Sequence, residues 1–175
     1  MKDSSLRIET TPLVNENGCL EWALGDYVVS TDRSRLSLAT ITRFLSEESW
    51  WAKGLSVETI VRSINGSLVF GVYSGKEQIA FCRVITDCAR MAYLADVYVD
   101  SHHRGRGIGS ALSAVVRTHP DLSTILHWLL MTPDAGGVYE KTGWHPIREP
   151  KHLLQIVGED PLRTALQARY PYRQA

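Results

Sequence analysis

The residues most able to do chemistry form a run of arginine and glycine between a strand pattern and a helix pattern. The run reads Arg104-Gly105-Arg106-Gly107-Ile108-Gly109-Ser110. Its glycines remove side chains where a helix begins, so the first backbone N–H groups stay accessible, with the positive end of the helix dipole behind them. Such groups bind anions, and a phosphate or pyrophosphate suits them best. Arg104 and Arg106 add positive charge at the rim.

Two other glycine-rich phosphate motifs do not fit this run. It has no lysine where the G-x-x-x-x-G-K-[ST] motif needs one, and Gly105, Gly107 and Gly109 lack the G-x-G-x-x-G spacing of dinucleotide-binding folds. A glycine-rich turn with solvated arginines is the alternative. The context favours an anion site, because an apolar strand pattern leads into the run and apolar residues at helical spacing follow it, namely Ile108, Ala111, Leu112, Val115 and Val116.

Asp96 is the only charged residue in the apolar strand pattern from Met91 to Val99. An isolated carboxylate is costly to bury unless it has a partner or faces a hydrated cleft. Two interpretations therefore stay open: Asp96 belongs to a binding site, or it pairs with an arginine such as Arg83.

Periodicity and capping residues predict the elements that must position these groups. The order is β-αα-βββ-α-β-α-ββ, a mixed α+β sheet, after a short strand near 19–24. Ser37 and Ser56 are predicted N-caps of the two early helices. The predicted strands are 26–31, 68–73, 78–86, 91–99, 124–131, 144–147 and 153–157, and the later helices are 108–118, 133–142 and about 160–168.

Length and composition favour one domain and exclude some functions. The chain has 175 residues, with 19 basic and 19 acidic side chains, so it lacks the basic excess of a nucleic-acid-binding protein. Residues 1–100 carry 10 basic and 13 acidic side chains, and residues 101–175 carry 9 and 6, so an anion fits better in the second part. Three unpatterned cysteines and the lack of a signal or membrane-spanning pattern lead us to expect a reduced, cytoplasmic protein without a metal site.

The sequence resembles the GNAT-type N-acetyltransferases. Arg104 to Gly109 matches the acyl-CoA pyrophosphate loop of that superfamily, and Val97-Tyr98-Val99 is similar to the end of its central strand. The segment Val138-Tyr139-Glu140-Lys141-Thr142-Gly143-Trp144 is similar to its second motif, Y-x-K-x-G-F/W. The resemblance implies a mostly antiparallel central sheet, flanked by helices and splayed at the central strand. It divides the chain into an N-terminal extension (1–25), the N-acetyltransferase domain (26–158) and a helical tail (159–175).

The resemblance also implies an activity: transfer of an acetyl group from acetyl-CoA to a primary amine of a small molecule or peptide, without a metal. The backbone of Val97, Tyr98 and Val99 would pair with the pantetheine arm, and the amides of 104–110 would hold the pyrophosphate. Tyr139 would donate a proton to the leaving thiolate, a role suited to a phenol with an ordinary pKa of about 10. The alternative for Tyr139 is a helix tyrosine packed on the core.

The acceptor side is less constrained. Ala95 replaces the glutamate that precedes the aspartate in many amine-acetylating relatives, so Asp96 is either an anchor or base for the amine, or a partner of Arg83. Trp50 and Trp51 occupy the acceptor wall that the resemblance implies, unless both cap the core. Tyr93, Phe81 and Arg83 are further candidates for the acceptor pocket.

A non-catalytic acyl-CoA sensor or assembly module on the same fold is the alternative function. We expect neither a nucleic acid nor a membrane as a partner. A homodimer is an expectation from the family resemblance alone.

Overall fold

The computed structural model describes residues 6–154, which form a seven-stranded sheet with helices on both faces. Strands lie in sequence order, and every neighbouring pair is antiparallel except the last, which is parallel. The mixed α+β sheet expected from the sequence is confirmed. The strands are β1 (Leu13–Val14), β2 (Leu20–Leu24), β3 (Tyr27–Ser30), β4 (Leu68–Ser74), β5 (Glu77–Thr86), β6 (Met91–Val99) and β7 (His127–Leu129).

The helices begin where the sequence supplies a cap. Ser37 accepts a hydrogen bond from the Thr40 amide, and Ser56 accepts one from the Thr59 amide, as their positions predict. The α-helices are α1 (Leu38–Thr42), α2 (Val57–Asn65), α3 (Ile108–Val115) and α4 (Gly136–Glu140). A π-helical segment, Arg43–Glu48, continues α1, and short 3-10 turns lie at Arg33–Arg35, Ser101–His103, Val116–Thr118, Pro120–Leu122 and Pro150–His152. The longest α-helix of the described part has nine residues, whereas a bilayer requires about 20.

The sheet separates two apolar clusters. Along β4, Phe70 packs in the cluster that contains Ile108 and Leu112 of α3, while Val69 packs in the cluster formed with α1 and α2. This alternation buries both faces of the central strands. Strand β6 contributes to both clusters too, with Leu94 in the first and Tyr98 in the second.

The last two strands separate soon after they pair. Residues Met91–Tyr93 of β6 pair with His127–Leu129 of β7, but β6 continues to Val99 without a further partner on that side among residues 6–154. The sheet is therefore splayed along 94–99, as the family resemblance implies. We call the space beside this edge, 94–99, the cleft. It ends at Val99, whose carbonyl accepts a hydrogen bond from Arg104 of the glycine run.

Three segments differ from the predicted elements. The region before residue 26, expected to be an extension, adds β1 to the sheet and places Trp22 in the core, while the short strand expected near 19–24 is confirmed as β2. The predicted strand 144–147 is wrong: the Trp144 amide donates to the Tyr139 carbonyl at the end of α4, and Pro146 has no amide to give. Strand β7 is shorter than predicted, and Leu153 and Leu154 are not in a strand. Residues 155–157 and the tail at 159–175 lie outside the described residues.

Candidate active site

The glycine run adopts the backbone conformation that only glycine takes without strain. Gly105 has φ +76° and Gly107 has φ +81°. Gly107 is the N-cap of α3, and the helix closes its first turn with a 2.9 Å hydrogen bond from the Ala111 amide to the Gly107 carbonyl. The amides of 108–110 therefore have no acceptor within the helix. Residues 104–107 are exposed, Gly109 and Ser110 are half-buried, and Ile108 is buried. The binding of a pyrophosphate by these amides stays a prediction.

The two arginines of the run give the loop positive charge, and their side chains also hydrogen-bond to other elements. Arg104 Nε donates to the Val99 carbonyl over 2.9 Å, and Arg106 donates to the Tyr27 hydroxyl over 3.2 Å. Both side chains belong to exposed residues. The loop thus keeps its positive charge at the surface while hydrogen bonds connect it to the end of β6 and to the start of β3.

Strand β6 carries a β-bulge beside the cleft. Phe81 lies opposite Tyr98 and Arg83 lies opposite Ala95, so two residues of β6, Asp96 and Val97, face a single residue of β5. Asp96 has φ +52°, a left-handed conformation that is uncommon for any residue except glycine. Bulges of this kind bend a strand and change the direction of its side chains, and they occur often next to active sites.

The Asp96 carboxylate is held on both of its oxygen atoms. Oδ2 accepts a hydrogen bond from Arg83 Nε over 2.5 Å, and Oδ1 accepts one from the Trp51 indole nitrogen over 3.0 Å. Arg83 Nη1 also donates to the Ser67 hydroxyl over 3.1 Å. The side chains of Arg83 and Asp96 are only 15% and 10% exposed. Of the two roles left open for Asp96, the structure contains the pairing with Arg83.

Neighbouring residues of β6 and α3 offer their backbone to a ligand and not their side chains. Tyr98 is 3% exposed, and its ring stacks on Phe44 with 4.1 Å between centroids. Val97 and Val99 pack against the core on the opposite face, and Ile108 is buried there. Tyr98 and Ile108 can therefore meet a ligand through main-chain atoms only, whereas Val97 and Val99 are half-buried.

The predicted acceptor wall is aromatic and partly exposed. Trp50 and Trp51 are half-buried, with ring centroids 5.6 Å apart. Tyr93 is half-buried too, and burial raises the pKa of its phenol. Phe81 differs: it is 1% exposed and belongs to the core under α1 and α2, so it does not line a pocket.

Tyr139 lies in α4 and is nearly buried, with 9% of its surface exposed. Burial, with smaller contributions from Cys82 and Asp134, raises the pKa of its phenol to about 12. Its ring meets Trp144 edge-on, with centroids 6.2 Å apart. The hydroxyl is therefore fully protonated at neutral pH, which a proton donor requires.

A set of contacts between α3 and α4 was not predicted. Ser110 Oγ donates to the Val138 carbonyl over 2.8 Å, the hydroxyls of Ser113 and Thr142 lie 2.8 Å apart, and Arg117 donates to the Thr142 carbonyl. The signal was available in the sequence: polar residues at i, i+3 and i+7 mark one face of an otherwise apolar helix.

A second cavity, of about 590 Å³, lies away from the glycine run, beside the β1–β2 and β4–β5 turns. Two polar contacts lie in its lining: Arg35 forms an ion pair with Glu21 at 2.6 Å, and the Asn17 side-chain amide donates to the Asp32 carboxylate over 2.7 Å. Hydrogen bonds, first from Ser34 and then from Asn17, lower the pKa of Asp32 to about 2.

Within residues 6–154, no group of three or more His, Cys, Asp or Glu side chains is arranged to hold a metal ion. The expectation of a reaction without a metal stays a prediction.

Comparisons with known proteins give a consistent result. A family model described as "Acetyltransferase (GNAT) domain" matches residues 65–146. A crystal structure from Xanthomonas campestris pv. campestris is described as "a putative acetyltransferase belonging to the gnat family". Its sequence is 42% identical, the match covers 75% of this chain and 93% of the crystallised chain, and the TM-score is 0.72.

Two other relatives are more distant. A Gibberella zeae protein named "Putative acetyltransferase" is 28% identical over 152 residues, which is 74% of this chain and 84% of the relative. The structure of glucosamine-6-phosphate N-acetyltransferase from Arabidopsis thaliana is 13% identical in sequence, with a TM-score of 0.55, and the match covers 77% of this chain and 99% of the Arabidopsis chain. The latter similarity concerns the fold alone.

Proposed function

This chain belongs to the GNAT family of acetyltransferases, and we propose that it transfers the acetyl group of acetyl-CoA to a primary amine of a small molecule or peptide. The observation that carries the proposal is the cleft itself. One edge of β6, 94–99, has no strand partner among residues 6–154, and it leads through the glycine run to the amides at the start of α3. A long ligand with an anionic end and an amide-containing arm matches this sequence of groups.

The residues present fit the parts of acetyl-CoA. The amides of Ile108, Gly109 and Ser110, with Arg104 and Arg106 at the rim, suit the pyrophosphate. The free backbone edge of β6 suits the amides of the pantetheine arm, which can pair with it as an added strand would. Acetyl-CoA supplies an activated thioester, and these backbone groups would position that thioester in the cleft.

Catalysis in this proposal comes mainly from placement. The cleft holds an uncharged amine nitrogen beside the thioester carbonyl, and a backbone amide of β6 polarises that carbonyl. As the new C–N bond forms and the C–S bond breaks, Tyr139 donates its hydroxyl proton to the departing sulfur. The proton that the amine nitrogen loses returns through solvent to the Tyr139 oxygen, which restores the phenol and balances the reaction.

The acceptor side supports an amine that is planar or carries apolar surface. Trp50 and Trp51 present partly exposed rings, and aromatic faces bind such groups and cations well. Asp96 does not act as the base in this proposal, because Arg83 and Trp51 already occupy both of its oxygen atoms.

A thiol-release assay with a panel of amines tests the proposal. Acetyl-CoA is supplied with aliphatic, aromatic and peptide amines, and both free thiol and acetylated product are measured. Release that depends on an amine and matches product formation supports the transfer. Tight CoA binding by calorimetry, with thiol release that no amine accelerates, would instead favour the acyl-CoA sensor.

A further inference from the structure

We propose that Ser110 and Ser113 of α3, with Arg117 in the 3-10 turn that continues it, form a clamp that positions Tyr139 at the cleft. The inference rests on the proposed function, since it assigns these residues to the placement of the proton donor. They are positioning residues, because none of their side chains needs to touch the reacting atoms. Among the residues of the site, the sequence resemblance gives no role to Ser113 or Arg117.

The clamp forms hydrogen bonds with residues on both sides of Tyr139. Ser110 Oγ donates to the carbonyl of Val138, the residue before it, over 2.8 Å. Ser113 Oγ lies 2.8 Å from the hydroxyl of Thr142, and that hydroxyl lies 2.9 Å from the Tyr139 carbonyl. Tyr139 is thus held between two fixed points of its own backbone.

Arg117 completes the clamp at the end of α4. Its Nη2 donates to the carbonyl of Thr142, where the helix has just ended and carbonyl groups lack helical partners. A guanidinium at this end also interacts favourably with the helix dipole. Its Nε is buried without a hydrogen-bond partner in the described part of the chain, a cost that the contact with α4 must offset.

Helix α4 depends on this clamp because it has little stability of its own. It has five residues, far fewer than an isolated helix needs, and its N-cap, Ala135, makes no side-chain capping hydrogen bond. Ser113, by contrast, is completely buried in α3. The position of Tyr139 is therefore set by α3 more than by α4 itself.

The same helix begins at the glycine run, and this links the two ends of the proposed reaction. Ser110 offers its amide to the anion site, and its hydroxyl holds α4. One rigid element thereby fixes the distance between the pyrophosphate and the proton donor. Binding at the loop and proton donation at the thioester share a single support.

Two variants, Ser113→Ala and Arg117→Met, test the clamp, each made in the native chain and in the Tyr139→Phe background. We expect each single variant to lower kcat about tenfold, with KM for acetyl-CoA and Kd for CoA changed less than twofold. In the Tyr139→Phe background the same substitutions should change kcat less than twofold, because the group they position is gone. Ser113→Ala is the milder variant and keeps the test valid if Arg117→Met folds poorly.

Arg62→Met is the matched control, since Arg62 is exposed in the last turn of α2. It should leave kcat unchanged, and Arg117→Lys should recover part of the activity because it keeps the charge at the end of α4. Equal losses with and without the tyrosine hydroxyl would overturn the clamp, as would unchanged kcat in both variants. If Tyr139→Phe alone kept native kcat, the donor role in the proposed function would fail first, and the two failures are thereby distinguished.

Discussion

Arg83 Nε donates to Asp96 Oδ2 over 2.5 Å at the β-bulge of β6. The pair fastens the bulge to β5, and Trp51 fastens it to the loop between the π-helical segment and α2. The left-handed backbone of Asp96 is thereby held by its own side chain. This geometry favours a role in shaping the cleft over a role in accepting protons.

Arg83→Met should destabilise the fold strongly, because it leaves the Asp96 carboxylate buried and without its cationic partner. Breaking a buried pair in this way costs about 3 to 5 kcal/mol. Denaturant unfolding measures the change. Lys151→Met is the control: its pair with Glu149 spans 3.4 Å between side chains that are 76% and 56% exposed, and removing it should cost less than about 1 kcal/mol. Equal losses in the two variants would refute a structural role for the Arg83–Asp96 pair.

Gly107→Ala should weaken CoA binding at least tenfold. The added Cβ disfavours φ +81°, so the amides at the start of α3 would lose their arrangement. Gly75→Ala is matched, since Gly75 has φ +59° in the β4–β5 turn and open space around its Cα. Calorimetry with CoA should separate the two variants even where their melting temperatures fall alike, and equal affinity would contradict the anion site.

Tyr139→Phe should lower kcat more than tenfold while KM for acetyl-CoA changes little, because only the departing sulfur loses a partner. Tyr73→Phe is a close control: burial also raises the pKa of Tyr73 to about 12, and its hydroxyl is buried without a hydrogen bond to residues 6–154. It should keep native kcat. Steady-state kinetics at saturating amine compares them, and equal kcat values would rule out the donor role.

The native Tyr139 hydroxyl should give no alkaline loss of activity below about pH 10. Its pKa of about 12 keeps the donor protonated across that range. Because the amine must be uncharged to attack, kcat/KM should rise with pH until the acceptor is deprotonated and then stay level. A fall between pH 8 and 10 in a protein that stays folded by circular dichroism would contradict the assignment.

Asp32 should make stability depend on pH in the acid range. Its folded-state pKa, about 2, lies below the ordinary 3.8, so its contribution is complete above the unfolded value and is lost as pH falls through about 2. Asp32→Asn should therefore lower Tm at pH 6, and the difference from the native chain should shrink between pH 4 and pH 2. A constant difference over that range would exclude Asp32 as its source.

Local chemistry made much of this fold predictable. Ser37 and Ser56 cap their helices through bonds to amides three residues away, so the signal and the structure occupy the same few residues. Gly105 and Gly107 likewise adopt the positive φ for which glycine is suited. These features depend little on distant parts of the chain.

The errors and omissions come from long-range packing. Alternation along β5 identifies Phe81 as inward-facing, but it does not say whether a core or a pocket lies there. The strand predicted at 144–147 fails because the Trp144 amide is used at the end of α4. Two roles for Asp96 stayed open in the sequence, a site residue or a partner of Arg83, because the pairing depends on the register of β5 and β6.

Strand β7 joins the sheet through a ladder of three residue pairs, Met91–Tyr93 with His127–Leu129. The segment 130–135, which follows it along the cleft, takes part in no strand pairing. Leu130 and Ala135 at its two ends pack against the core, so substitutions between them can alter this side of the cleft without disturbing a strand ladder. In the proposed function, changes in this segment would alter the amine side of the cleft, while β6 and α3 keep the groups that would hold acetyl-CoA.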